Sequence, residues 1–408
     1  MGSLKLNYIS VLNKILKNKN FYLVLLYTFF LYPIKFSFNL DAANNPDNTY
    51  INYTYLLYIL YKLLNDKRIF TSNNFINYSL IFYFFILIFS LIDSQIYQSD
   101  NNNLRRILSF ILFISIFLFA FLKIEEKEIE NLKISIVLFS LILIIDKFLI
   151  ILSLENSISN WQSYNWKHEI GSQRLGFIYI FSFWIVFIDY KKFKKLLKFF
   201  DIENNKNLII YFLLLLIIIG IYFSISRSTY LAFLITVTIF LYFKYPYYAK
   251  LVSLLTIFIL SLYLIFYFSL YGSDIVNYFS HSNFGINSSI GYRFYIWEKI
   301  TISVIKNPLL GSGYLGVSIM EGGSGSAHSQ YFDVLFRVGI IGFIIYLIII
   351  YKIFKFYKKN DLSIFIGLMS FLIIGIFHET FKLSYGSCIL GFLLGYVVTS
   401  NRSQVKKL

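Results

Sequence analysis

The sequence predicts an all-α polytopic membrane protein with about twelve transmembrane helices and one large extracytoplasmic loop between helices nine and ten. Three observations predict it. The 408 residues are 58% hydrophobic and 14% charged, whereas a soluble domain is nearer half apolar and a quarter charged. Apolar runs recur that reach the roughly 18–20 residues a bilayer core demands. Lys and Arg fall in short clusters between those runs and form no single patch, so the net charge of +16 reads as the positive-inside pattern and not as a nucleic-acid surface.

The elements follow in order. Helices are expected at about 21–39, 49–64, 75–92, 104–122, 132–152, 170–189, 207–225, 228–243, 247–271, 329–351, 361–379 and 383–399. The first run ends in "LYPIKFSFNL" and lacks a small-x-small cleavage site, so it is expected to remain as a helix. "KLLNDKR" closes the second span, "KIEEKEIENLK" follows the fourth, and "DYKKFKKLLKFF", the strongest anchor, follows the sixth. "KYPYYAK" joins the eighth to the ninth, and "KIFKFYKK" follows the tenth. With Lys206 and the two tails, these segments carry 25 of the 37 Lys and Arg. Both termini are therefore expected in the cytoplasm. Three regions result: 1–271 with helices one to nine, 272–328 as the outer loop, and 329–408 with helices ten to twelve and a cytoplasmic tail.

The outer loop is too long for a simple connection, and loops of that length are functional or disordered. Its "GYRFYIWEKITISVIKNPLL" mixes aromatic, apolar and charged residues, which predicts a folded cap with an amphipathic helix lying against the membrane. Cys388 is the sole cysteine, so no intramolecular disulfide forms and the residue reads as packing. "GSGYLG" at 311–316 matches a dinucleotide-binding glycine string, but no buried strand precedes it and it reads as a turn. No cluster has zinc-ligand spacing and no Asp-x-Asp occurs, so neither metal nor cofactor is expected. There is no inverted repeat, which counts against a transporter of that design. Only Asp146 and Lys147 are expected well inside a span.

The polar residues of interest all fall on the outer side. Arg227 interrupts about 35 apolar residues in "GIYFSISRSTYLAFLITVTIF". A mid-membrane charge costs about 2.5–3.5 kcal/mol, so it is placed at the outer turn, either snorkelling or clamping an anion. Arg293 shares a helical neighbourhood with Trp297, and Tyr292 precedes it. Arg174 opens the sixth span. Arg105 and Arg106 open the fourth against the positive-inside bias. Arginine holds phosphate through two parallel charge-assisted bonds, so a lipid-linked diphosphate fits such a set. His328 follows the small-residue "GGSGS" at the mouth of the tenth span. An imidazole there can accept a proton from a hydroxyl near neutral pH, and nearby arginines would keep it neutral. His378 and Glu379 at the outer end of the eleventh span could support it, or simply cap the helix.

These residues resemble the O-antigen polymerase and O-antigen ligase superfamily, bacterial integral-membrane glycosyltransferases, most strongly over about 220–350. Arg227 with Leu231 fits the family's arginine, three residues, leucine element. "YRFYIWEKITISVIKNPLLGSG" looks like its loop helix that ends in a proline and a glycine pair. "HSQYFDVLFRVGIIG" is similar to its histidine and glycine signature, with His328, Ser329, nine residues, Gly339, two residues and Gly342. The stretch after Arg174 departs from the family's Asn-rich pattern. The resemblance implies a donor oligosaccharide on undecaprenyl diphosphate, met at the periplasmic face of the inner membrane. It implies Arg227 and Arg293 on the diphosphate, with help from Arg174, and His328 on the acceptor hydroxyl. Tyr292 and Trp297 would line the glycan or diphosphate site. Polymerase is the expected activity, on a residue bias rich in Ile, Phe, Tyr, Asn and Lys; ligase is the alternative and lipid-linked glycan transport the third reading. A chain-length regulator is a candidate partner.

Overall fold

The computed structural model describes residues 24–28, 31, 54–65, 118–119, 122–153, 176–193, 206–224, 226–248, 289–311, 327–378, 380 and 384–405, with further positions between 251 and 269. The regular elements among them are helical. In order they are α1 (Thr54–Asn65), α2 (Glu126–Ser153), α3 (Gly176–Ile188), α4 (Lys206–Phe223), α5 (Arg227–Lys244), α6 (Ser289–Lys306), α7 (Gln330–Asn360), α8 (Leu362–Phe377) and α9 (Ser384–Val405), with a 3-10 turn at Pro246–Tyr248. The expected span at 75–92 lies outside the described residues, as do Arg105, Arg106, Arg174 and Glu379.

Among the described residues one helix, α7, is long and apolar enough to cross a membrane. Gly176–Ile188, Asn207–Phe223, Leu362–Phe377 and Gly386–Ser400 are shorter apolar helices. Helix α8 stops short because polar caps close both ends. The Asp361 carboxylate accepts from the Ile364 N–H at 3.2 Å, and at the other end His378 is the C-cap. Three other helices outrun the expected boundaries, α9 by running on to Val405. Helix α2 begins at Glu126 rather than near 132. Acidic residues suit the positive N-terminal end of a helix dipole, and Glu128 accepts from the Glu125 N–H at 2.9 Å. Helix α7 runs 31 residues to Asn360, about 46 Å at the helical rise against a hydrocarbon core of about 30 Å. Lys358 and Lys359 lie in its last turn, where cations complement the dipole.

Helix α3 is the centre. It packs against α8, α4, α2 and α5, and its residues 176–182 and 184–186 are buried. A helix buried nearly all round must be apolar all round, which "GFIYIFSFWIVFI" is. Close approach to α8 depends on Gly367, where an added Cβ would sit 2.0 Å from the Phe181 ring. Small residues at helix crossings serve this purpose in membranes. The contacts also fix direction. Gly176 meets Thr229, and the Trp184 indole N–H donates to Thr236 Oγ1 at 3.1 Å, so α3 and α5 run parallel. Phe177 packs on Phe371, and Ser363 Oγ donates to Asp189 Oδ2 at 2.8 Å, so α8 runs antiparallel to α3. The Tyr331 hydroxyl donates to the Leu372 carbonyl at 3.0 Å, while Phe354 packs on Phe365, so α7 is antiparallel to α8. One end of the bundle therefore gathers the starts of α3, α5 and α7 and the end of α8.

The opposite end is tied by a buried cation. The Lys133 ammonium of α2, 4% exposed, bonds Asp189 just past α3 at 2.8 Å and Asp361 between α7 and α8. Glu130 lies 3.8 Å away and also pairs with Lys192 at 2.7 Å. Removing one partner of a buried pair costs more than the pair contributes, because the other charges remain desolvated. Lys133→Met is expected to lose about 3 kcal/mol, read as a lower thermal-unfolding midpoint of the protein in nanodiscs. A midpoint equal to wild type would show that the network carries no stability.

Candidate functional site

The site is built on the first turns of α5 and α7, with α6 laid against the latter. At the start of α5, the Ser226 hydroxyl accepts from the Thr229 N–H at 3.4 Å and lies 2.8 Å from the Ser228 hydroxyl. Ser226 is thus a side-chain N-cap. Arg227 is the first helical residue and is exposed. A cation there opposes the helix dipole, whereas an anion is favoured by the dipole and the free N–H groups together. Arg227 thus adds a side-chain cation to the positive end of the α5 dipole. Thr229, fully buried, packs on Gly176. The beginnings of α3 and α5 are thus in contact.

Helix α6 is amphipathic. Ile296, Ile300 and Val304 recur every four residues and are buried, while Glu298 and Lys299 are exposed. The stripe packs with Ala327 and Phe336, and Phe332 and Leu335 of α7 border it. The Trp297 indole N–H donates to the Ala327 carbonyl at 2.9 Å, and its ring stacks on Phe332 with centroids 4.9 Å apart. The Tyr292 ring stands edge-on to the His328 imidazole at 5.7 Å. Helix α6 thus runs beside the first turns of α7, with Arg293 next to the tyrosine that touches His328.

His328 is half-buried and holds φ of +49°, a left-handed backbone uncommon outside glycine. Ser329 follows as the N-cap of α7. The sharp turn leads from Ala327 into the helix, leaving His328 at its start.

The far end of α6 is fastened by backbone. The Gly311 N–H donates to the Asn307 carbonyl at 3.1 Å, closing a turn. That turn lies on a kink in α7 at Gly339, where φ is 63° and ψ is −170°. A kink releases a helical N–H, and here the Ile340 N–H finds the Pro308 carbonyl at 2.8 Å. An added Cβ at Gly339 would lie 2.4 Å from the Leu309 carbonyl oxygen, and one at Gly311 would lie 2.5 Å from the Gly339 nitrogen. The proline and glycine pair after α6 and the glycine after His328 are two halves of one joint.

His328, Tyr292, Arg293 and Trp297 are thus assembled on α6 and α7. Arg227 and His378 lie at the same end of the bundle, on α5 and α8. His378 is 7% exposed, and its N–H donates to the Ile374 carbonyl at 2.9 Å. Its backbone does the work of a helix cap. Trp297, expected to face headgroups or substrate, spends its N–H and one ring face inside the protein.

A further pair of buried ionisable residues, not singled out in the sequence, lies in α7. Asp333 and Arg337 sit in the first two turns of α7, with side chains 1% and 3% exposed and Arg337 Nε 2.9 Å from Asp333 Oδ2. The signal was present. Two opposite charges four residues apart, in an apolar run directly after His328, are a salt-bridge spacing.

A family model described as O-antigen ligase matches residues 212–347. That match, spanning a third of the chain, supports a relation to the O-antigen polymerase and ligase superfamily. The matched stretch runs from α4 to the middle of α7 and contains Arg227, Arg293, His328 and the Gly311–Gly339 joint. An uncharacterized protein of Haemophilus influenzae is 29% identical over 126 residues, 28% of this chain and 31% of that relative. The chain thus spans under a third of the length of the curated relative it matches.

Proposed function

We propose that the protein is a polymerase of O-antigen or a related surface polysaccharide, joining undecaprenyl-diphosphate-linked oligosaccharide repeats at the periplasmic face of the bacterial inner membrane. The observation that carries this reading is positional. An exposed arginine on a helix N-terminus and a histidine at the mouth of a membrane-length helix lie at one end of the same bundle, within the stretch shared with the superfamily. Arg227 and Arg293, with Arg174, bind the diphosphate and take up the negative charge that develops as it leaves. His328 accepts the proton of the acceptor hydroxyl. The hydroxyl oxygen bonds the anomeric carbon, the carbon–oxygen bond to the diphosphate breaks, and undecaprenyl diphosphate departs with the electron pair. The lysine-rich segments around the Lys133 end face the cytoplasm, as do the termini.

Ligase activity remains as a second reading because the family model bears that description. It would use the same donor site and pass the glycan to lipid A–core. One assay separates them. Protein in nanodiscs receives undecaprenyl-diphosphate-linked repeat unit, with or without lipid A–core, and products are resolved on a gel. A ladder from donor alone is expected. A product formed only with lipid A–core would establish the ligase instead. No product in either arm, with donor bound, would favour transport.

A further inference from the structure

We propose that Asp333 and Arg337 are positioning residues that set the protonation of His328, an inference that rests on His328 serving as the base. The pair is held at 2.9 Å with both side chains almost wholly buried. Apolar residues of similar volume usually fill such a position at no loss of stability, so the fold alone does not call for it. Ionisable residues inside membrane helices mark function by default.

The placement indicates which function. Gln330, Asp333 and Arg337 are all buried and recur at spacings of three and four, so they form one stripe down a single face of α7. That stripe begins beneath His328. At the helical rise their Cα atoms lie about 7 and 13 Å along the axis from it, and the Arg337 side chain reaches back to meet Asp333. As a pair they present the imidazole with almost no net charge. Separated, either becomes a bare charge in a medium that screens poorly. The turn that carries Arg337 also bears the α6 joint, where a Cβ on Gly311 would lie 2.9 Å from the Arg337 carbonyl carbon.

The other groups near His328 come from its neighbours. Helix α6 presents Tyr292 against the ring, with Arg293 beside it. Helix α8 contributes His378 at its C-cap. Helix α9 carries no charged residue before Arg402. None of these changes in the variants below, so a shift in His328 titration reports the pair.

The test is the pH dependence of polymerisation by the full-length protein in nanodiscs. Asp333→Asn leaves a guanidinium that cannot lose its proton. It should disfavour imidazolium and move the acid limb of kcat down by about one pH unit, with donor KM unchanged. The neutral double variant Asp333→Asn with Arg337→Gln should return the limb to its wild-type position. The opposite single variant, Arg337→Gln, leaves a bare carboxylate and should raise the limb instead. It keeps the idea testable if Asp333→Asn does not fold. A limb at the wild-type pH in folded Arg337→Gln or in folded Asp333→Asn overturns the proposal, as does an equal shift in the neutral double variant. His328→Asn is run beside them. If it keeps full turnover, the base reading itself fails; if it is inactive while the limbs do not move, only the role of the pair fails.

Discussion

Gly339→Ala is expected to lower turnover by about 100-fold or more while leaving the bundle folded. The backbone there has φ of 63° and ψ of −170°, a combination open to glycine and strained by about 1–3 kcal/mol for other residues. Strain alone would be tolerable. The added methyl, however, would lie 2.4 Å from the Leu309 carbonyl oxygen and 2.5 Å from the Gly311 nitrogen. Both are backbone atoms, and no rotamer change can move them. The turn at 307–311 must lift away, and the bond from the Ile340 N–H to the Pro308 carbonyl goes with it. Helix α6 is then held only by its apolar stripe, and the contacts of Trp297 with Ala327 and of Tyr292 with His328 lose their register. The main core around α3 and α8 is a separate cluster from the α6 contacts, so the damage should stay local. Hydrogen exchange reads this directly, with protection lost over 289–306 and kept over 176–188 and 362–377. Wild-type turnover with full protection in α6 would show that the joint does not position the site.

The joint also shows how much was legible in the sequence. Glycine spacing after His328 and the proline–glycine end of the loop helix were both visible. That they touch was not, because a contact between two turns about thirty residues apart leaves no periodic signal in either. Helix positions were readable where an apolar run ended in a basic cluster, as at α3. They failed where charge continues a helix instead of ending it, as with "EKEIENLK" in α2 and "KIFKFYKKN" in α7. Lys133 looked like one more cytoplasmic lysine, since its two closest partners, Asp189 and Asp361, come from distant places in the chain. Asp333 and Arg337 were within reach of sequence reasoning. They were passed over because an apolar count averages away two charges in a long run.

His328→Asn should reduce kcat by about 10²–10⁴-fold, the usual contribution of a positioned general base, with little change in donor KM. Asparagine is the better probe than alanine for a structural reason. His328 holds φ of +49°, and asparagine enters that region more readily than other residues. An alanine there adds backbone strain to the loss of the imidazole, so a dead His328→Ala alone leaves two explanations. His328→Gly removes the side chain with no strain, so asparagine and glycine variants should fail equally and both should keep the thermal midpoint of wild type. Arg227→Ala should behave differently. It removes a charge that meets the donor in the ground state as well as the transition state, so donor KM should rise along with the fall in kcat. The wild-type rate should climb with pH as the imidazole loses its proton, and this limb should vanish from the residual activity of His328→Asn. A residual activity that keeps the limb would assign it to another group, with His378, at the same end of the bundle, the first to test. Full turnover in His328→Asn would leave the arginines on the diphosphate and the helix N-terminus of α5 as the whole of the chemistry, with the acceptor hydroxyl losing its proton to water.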